Sequence, residues 1–187
     1  MKKQVLFIQG GGDNGYEADA KLVASLKAAL GNSYEISYPQ LERDESDMEF
    51  GWQWPRKIGK EINDIKGDVI LVGHSLGASQ ILKYLSEMKV PKRISGVFLI
   101  APPYWSGDED WKKGLILQDD FADKLPGNIP IFLYYSIDDD VVPLEHFSLY
   151  TQKLAQATVR EIKEGGHQFN DDLTIVAKDI KELLKAR

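Results

Sequence analysis

Ser75 lies at the centre of Gly73-His74-Ser75-Leu76-Gly77, between the apolar run Asp68-Val69-Ile70-Leu71-Val72 and a helix-like stretch over 78–88. A serine in this setting can occupy a sharp strand-to-helix turn that lifts its hydroxyl above the carboxyl end of a sheet, a nucleophile elbow. Gly73 and Gly77 fit that turn because they lack the Cβ atoms that would strike the strand and the helix. The competing reading is a serine that caps the following helix through its side chain. A hydroxyl is a weak nucleophile at neutral pH, so it needs a base, and the base needs an orienting acid. Candidates for both follow in the order serine, acid, histidine: Ser136-Ile137-Asp138-Asp139-Asp140-Val141-Val142-Pro143 and Gly165-Gly166-His167 each follow a strand-like run. Of the three histidines, His167 alone lies in a loop at a strand's carboxyl end downstream of such an acid. His74 adjoins Ser75 and is expected to point elsewhere, and His146 opens a helix, where it reads as surface or packing. Spacing leaves the choice among the three aspartates open. A calcium loop is disfavoured, because the alternating ligands, central glycine and terminal glutamate of an EF-hand are missing, and no metal site is expected.

Those residues need a scaffold that brings strand ends together. Apolar runs alternate with helical patterns: strands are expected at Val5 to Ile8, Tyr34 to Tyr38, Asp68 to Val72, Ile94 to Ile100, Ile131 to Tyr135 and Val159 to Ile162. Between them Leu22, Val23, Leu26, Ala29 and Leu30 recur at helical spacing up to Gly31, Trp52 to Ile65 is helical with Pro55 in its first turn, and Leu144 to Ala157 forms a later helix. Leu173, Val176, Ala177, Ile180, Leu183 and Leu184 give the last helix one apolar face. Six strands separated by helices imply an α/β fold, a three-layer sandwich with a parallel sheet and helices on both faces. Function is then expected at the carboxyl ends of the strands.

The 187 residues suit one domain, 1–187. The one irregular insertion is 102–128, which carries Trp105, Trp111 and Phe121 and reads either as a lid or binding loop or as a surface excursion pinned by its aromatics. Net charge is −6 with no basic patch, which argues against nucleic acid or an anionic membrane as the main partner. The absence of cysteine excludes thiol catalysis, disulfides and thiolate metal sites. Met1-Lys2-Lys3 is followed by too short an apolar run for a signal peptide, and no segment approaches a membrane span, so the expected location is cytoplasmic.

Gly73-His74-Ser75-Leu76-Gly77, the Asp139-Asp140-Val141-Val142-Pro143 turn and Gly166-His167 together resemble the α/β-hydrolase superfamily. In size and spacing they resemble its compact serine hydrolases, typified by the retinoblastoma-binding serine hydrolase and small bacterial relatives. The resemblance covers nearly the whole chain. It implies a reduced sheet of strand order 2-1-3-4-5-6 without a cap domain. It also selects Asp139, since the superfamily's acid commonly stands four residues before the proline of such a turn. The usual His-Gly pair after the first strand is replaced by Gln9-Gly10. What the resemblance implies is acyl transfer to water, with Ser75 as nucleophile, His167 as base and Asp139 as its orienting acid. The backbone N–H groups of Leu76 and of one residue among Gly10, Gly11 and Gly12, with Gly11 preferred, would form the oxyanion hole. No cofactor is implied. The expected substrates are small esters, with thioesters or amides as relatives, against an apolar wall for which Trp105, Trp111 and Phe169 are candidates and Trp52 and Trp54 further ones.

Two rivals come from the same residues. Gly10, Gly12 and Gly15 satisfy G-x-G-x-x-G between a strand and a helix, a dinucleotide fingerprint, although no acid ends the second strand and Glu42 is only a loose substitute. The other is a non-catalytic protein-binding module on the same fold, against which the complete Ser, Asp and His set speaks. A protein partner alongside catalysis is not readable from the residues.

Overall fold

The computed structural model describes residues 2–12, 14–41, 53–90, 93–106 and 114–185. Six strands run through it: β1 (Lys3–Ile8), β2 (Tyr34–Ser37), β3 (Val69–His74), β4 (Ile94–Ile100), β5 (Ile131–Ser136) and β6 (Thr158–Ile162). They form one parallel sheet of order β2-β1-β3-β4-β5-β6, with Val5 opposite Ile36 and Ile70, Leu71 opposite Val97, Leu99 opposite Leu133, and Tyr134 opposite Arg160. Helices α1 (Gly15–Leu30), α2 (Gln53–Asp64), α3 (Leu76–Glu87), α4 (Phe121–Lys124), α5 (Leu144–Lys153) and α6 (Thr174–Lys185) supply the crossovers and the outer layers. The parallel sheet is the one expected from the apolar pattern, and the strand order is the one that the resemblance implied.

Strand alternation sorts the core into two layers. Leu6, Ile8, Leu71, Val97, Leu99 and Leu133 face α2 and α3, where Ile58, Ile62, Ile81 and Leu85 meet them. Val5, Phe7, Ile70, Val72, Phe98 and Tyr134 face α1 and α6, whose Leu22, Leu26, Val176 and Ile180 close the other side. Covered on both faces, β3, β4 and β5 are buried from end to end, which is why their sequences read as continuous apolar runs. Each fully buried leucine or isoleucine contributes about 1.5–3 kcal/mol, so these two layers hold the strand ends in register. The outermost strands β2 and β6 remain partly exposed.

Element ends differ from the sequence reading by a residue or two in several places, and most at α5. The helix expected to reach Ala157 ends at Lys153, because the chain folds back after Leu154, whose N–H still donates to Tyr150 O, and Ala157 N–H then donates to Leu154 O in a turn that feeds β6. The insertion 102–128 is tied to the body in its described parts. Tyr150 Oη donates to Pro103 O, Lys83 Nζ to Ile116 O and Lys153 Nζ to Asp119 O, while Phe121 is buried.

Candidate active site

The order of the sheet reverses direction between β1 and β3, and a crevice opens where the two loops diverge at their carboxyl ends. Ser75 stands there, between β3 and α3, with φ 50° and ψ −123°. This left-handed backbone is one that a non-glycine residue rarely adopts, and it stores strain of about 1–3 kcal/mol. It is clamped from both sides: Ser75 N–H donates to Ile100 O at 2.8 Å, and Ser75 O accepts from Ala78 N–H at 3.0 Å. Gly77 is required by close approach, since a Cβ there would stand 2.3 Å from Gln9 O and 2.4 Å from Ile8 O. Ser75 does not cap α3 through its side chain. Its hydroxyl makes no hydrogen bond to any described residue.

The three consecutive aspartates have three different surroundings. Asp139 is enclosed, with its side chain fully buried, and receives His167 Nδ1 at 2.9 Å and 3.1 Å on its two oxygens. Its Oδ1 also accepts the N–H groups of Val141 and Val142, both at 2.9 Å. Burial pushes its carboxyl up, but hydrogen bonds from His167, Val142 and Val141 outweigh burial and hold it below the usual carboxylate range. An ionised carboxylate only accepts, so His167 Nδ1 carries the proton and Nε2 presents its lone pair. Asp138 faces another way. It accepts Ser136 Oγ and the N–H groups of Gly166 at 2.8 Å and Gly165 at 2.9 Å, contacts that hold it down at about 2 and brace the end of β5 against the loop that carries His167. Asp140 is exposed.

Ser75, His167, Leu76 and Gly11 line one cavity of about 460 Å³, with Trp105, Leu115 and Val141 as much of its apolar wall. Gly11 and Leu76 are neighbours in space, since a Cβ on Gly11 would stand 2.9 Å from Leu76 Cδ2. Gly10 N–H is already engaged, donating to Asp19 Oδ2 at 2.7 Å, whereas the N–H groups of Gly11 and Leu76 are donated to no described residue. The Gln9 that replaces the usual histidine is buried, and its Oε1 accepts Leu41 N–H at 3.0 Å, fastening the loop after β1 to the segment beyond β2.

Several expected wall residues lie elsewhere. Phe169 does not line the cavity; Phe169, Asn170 and Asp171 form a left-handed turn with φ of 50°, 51° and 57°, and Phe169 is buried against the α1 and α6 side of the sheet. Trp54 belongs to the core layer under α2. Trp52, Trp111 and Glu42 fall outside the described residues. His146 accepts Tyr104 N–H at 3.1 Å and is held below the usual imidazole range by burial, so it packs the base of the insertion.

Sequence reasoning expected His74 to point away from Ser75 but missed its partner, Asp19. Both are 1 % exposed, and His74 Nδ1 lies 2.8 Å from Asp19 Oδ1. A signal was present: on α1 the buried positions Gly15, Asp19, Leu22, Leu26 and Leu30 form one stripe, and an acid on such a stripe demands a partner. The glycines of the dinucleotide fingerprint are engaged locally. Gly15 N–H donates to Gly12 O at 3.2 Å, and a Cβ on Gly15 would stand 2.4 Å from Gly10 O, so these glycines serve helix packing and two of the backbone donors a pyrophosphate would need are already used.

With the geometry in place, comparison with known proteins places the chain. A family model described as serine hydrolase matches residues 24–173. The chain belongs to the serine hydrolase family. Its fold is that of the α/β hydrolases, as structural neighbours also indicate. A putative hydrolase of the α/β superfamily from Xanthomonas campestris pv. campestris superposes with a TM-score of 0.70 at 18 % identity, over 100 % of each chain. The CarC enzyme, a serine hydrolase involved in carbazole degradation, gives 0.72 at 15 % identity over 99 % of this chain and 92 % of that one. Acyl-protein thioesterase 2 of Zea mays gives 0.70 at 15 %, over 98 % and 94 %. At such identities the likeness establishes the fold. A comparison with curated protein sequences finds no significant match. Among the described residues, no helix is long and apolar enough to cross a membrane, and no group of three or more His, Asp or Glu is arranged to hold a metal ion.

Proposed function

We propose that this serine hydrolase cleaves small, uncharged carboxylic esters, or the related thioesters, through an acyl-enzyme on Ser75. The observation that carries the reading is His167 Nδ1 held by the buried Asp139 at 2.9 Å, at a cavity that the strained Ser75 also lines. Ser75 Oγ attacks the carbonyl carbon while its proton passes to His167 Nε2, and Asp139 stabilises the resulting imidazolium. The carbonyl oxygen gains the negative charge and takes the N–H groups of Leu76 and Gly11, each such donor being worth about 3 kcal/mol in the transition state. Collapse of the intermediate breaks the bond to the leaving alcohol or thiol, which receives the proton from His167. Water, activated by the same nitrogen, then releases the acid. The Ser75 to His167 contact is the one link that substrate has to tighten, as is common when catalytic groups are seen without ligand.

The cavity supports the substrate class. Its wall includes Leu76, Trp105, Leu115 and Val141, and among the described residues no lysine or arginine lines it to receive an anionic acyl chain. Trp105 and Leu115 come from the two described ends of the insertion 102–128, which in this reading covers the acyl chain in place of a cap domain. The maize neighbour, an acyl-protein thioesterase, fits the same chemistry. The test is incubation with a fluorophosphonate probe and mapping of the modified peptide, followed by turnover of p-nitrophenyl esters of increasing acyl length. Labelling at Ser75, absent in Ser75→Ala and severely slowed in His167→Ala, is expected. Labelling elsewhere, or none, overturns the proposal.

A further inference from the structure

Beneath the proposed site lies a second histidine–carboxylate pair that the reaction scheme does not use. Asp19 Oδ2 accepts Gly10 N–H at 2.7 Å, Asp19 Oδ1 meets His74 Nδ1 at 2.8 Å, and His74 Nε2 meets the backbone carbonyl oxygen of His167 at 2.9 Å. A carbonyl only accepts, so Nε2 carries a proton and donates it. One further proton lies between Nδ1 and Oδ1. The result is a continuous chain of hydrogen bonds, buried except at its His167 end, running from the loop after β1 to the loop after β6. Each end and the middle adjoin a group of the proposed mechanism: Gly10 precedes Gly11, His74 precedes Ser75, and the far end is His167 itself. The two imidazole rings are 4.8 Å apart, so the chain also floors the base from below.

As a device for stability alone, such a pair is a poor choice, because well-packed apolar side chains of similar volume often serve as well or better. What it supplies instead is a run of three directional hydrogen bonds, two of them made by Asp19, between loops 157 residues apart in the sequence, Gly10 and His167. We infer that His74 and Asp19 are positioning residues, which set the separation between the oxyanion loop and the His167 backbone. The inference rests on the ester-hydrolase reading above, since it assigns the pair a role through Gly11 and His167 from the floor of the cavity, where both side chains are 1 % exposed.

The test uses Asp19→Asn, Asp19→Ala and His74→Phe in the full chain, with far-UV circular dichroism and Tm measured beside kcat and KM. An asparagine preserves both links: its carbonyl accepts Gly10 N–H, and its amide donates to Nδ1 of a neutral His74 that still donates from Nε2. Asp19→Asn is therefore expected to keep kcat within a few-fold of wild type, whereas Asp19→Ala and His74→Phe lose about a hundredfold in kcat with KM little changed, the size of effect that a slight misplacement of reacting groups produces. Loss of Tm without loss of kcat in the folded variants overturns the inference, and so does an asparagine variant as impaired as the alanine. Where Asp19→Ala does not fold, Asp19→Leu fills the volume and breaks both links, with the same expected loss. Labelling of wild-type Ser75 by the fluorophosphonate separates the two levels. A labelled wild type with fully active Ala and Phe variants defeats the brace alone, and an unlabelled wild type defeats the hydrolase reading and the brace together.

Discussion

Two histidine–carboxylate pairs stand within one ring contact of each other, and they differ in what is left over. In the pair of His167 and Asp139, one ring nitrogen is tied and the other meets no described residue, and the histidine is 12 % exposed at the cavity. In the pair of His74 and Asp19 both ring nitrogens are tied and both residues are 1 % exposed. Chemically the pairs are alike. The first leaves Nε2 of a neutral imidazole facing the cavity, where the proposed mechanism uses it, while the second has both ring nitrogens committed to protein. A buried carboxylate beside an imidazole is therefore not enough to mark a base; the second nitrogen decides.

The sharpest way to break this contrast is to remove either member of the first pair, which the proposed mechanism casts as base and orienting acid. Asp139→Asn and His167→Ala are each expected to lower kcat on a p-nitrophenyl ester by a factor on the order of 10⁴ with the fold intact, because the tautomer or the base itself is lost. Equal losses in Asp138→Asn would undo the distinction between neighbouring aspartates. A smaller effect is expected at Asp138, and it concerns acid stability. Its folded value lies below the ordinary 3.8, so its contribution is fully present above that pH and disappears as pH falls through about 2. Thermal melting in that interval should be steeper with pH in wild type than in Asp138→Asn; superimposable profiles would show that the brace from β5 to the Gly165–Gly166 loop carries no weight. The smallest effect on turnover is expected in a polar network far from the cavity, where Tyr134 Oη donates to Asp179 at 2.7 Å and Arg160 pairs with the same carboxylate. Tyr134→Phe should lower stability by about 1 kcal/mol in a denaturant melt and leave kcat unchanged.

What could be read in the sequence follows a physical line. The strained turn at Ser75 and the loop position of His167 were legible because strand ends and glycine sterics are local properties, and the continuous apolar runs announce a sheet covered on both faces. The aspartate that pairs with His167 was legible only through resemblance. Asp138 and Asp139 are adjacent and alike, and what separates them is made by partners 27 and 28 residues away, Gly165, Gly166 and His167. The link between Asp19 and His74 spans 55 residues and leaves only the trace of an acid on an apolar helix stripe. Phe169 misled because it follows His167 closely in the chain. Three successive residues in left-handed conformation swing it to the opposite side of the sheet, an outcome that composition does not encode.

The backbone of Ser75 has one more consequence. Its left-handed conformation is imposed by Ile100, Ala78 and the close passage of Gly77 beneath Ile8 and Gln9, all of them framework atoms, and the hydroxyl takes no part in holding it. The tension in the turn is thus indifferent to whatever group the oxygen carries. In the proposed reaction, a cycle of loading and unloading at that oxygen runs without the turn relaxing or being rewound, and the elbow enters each round already cocked.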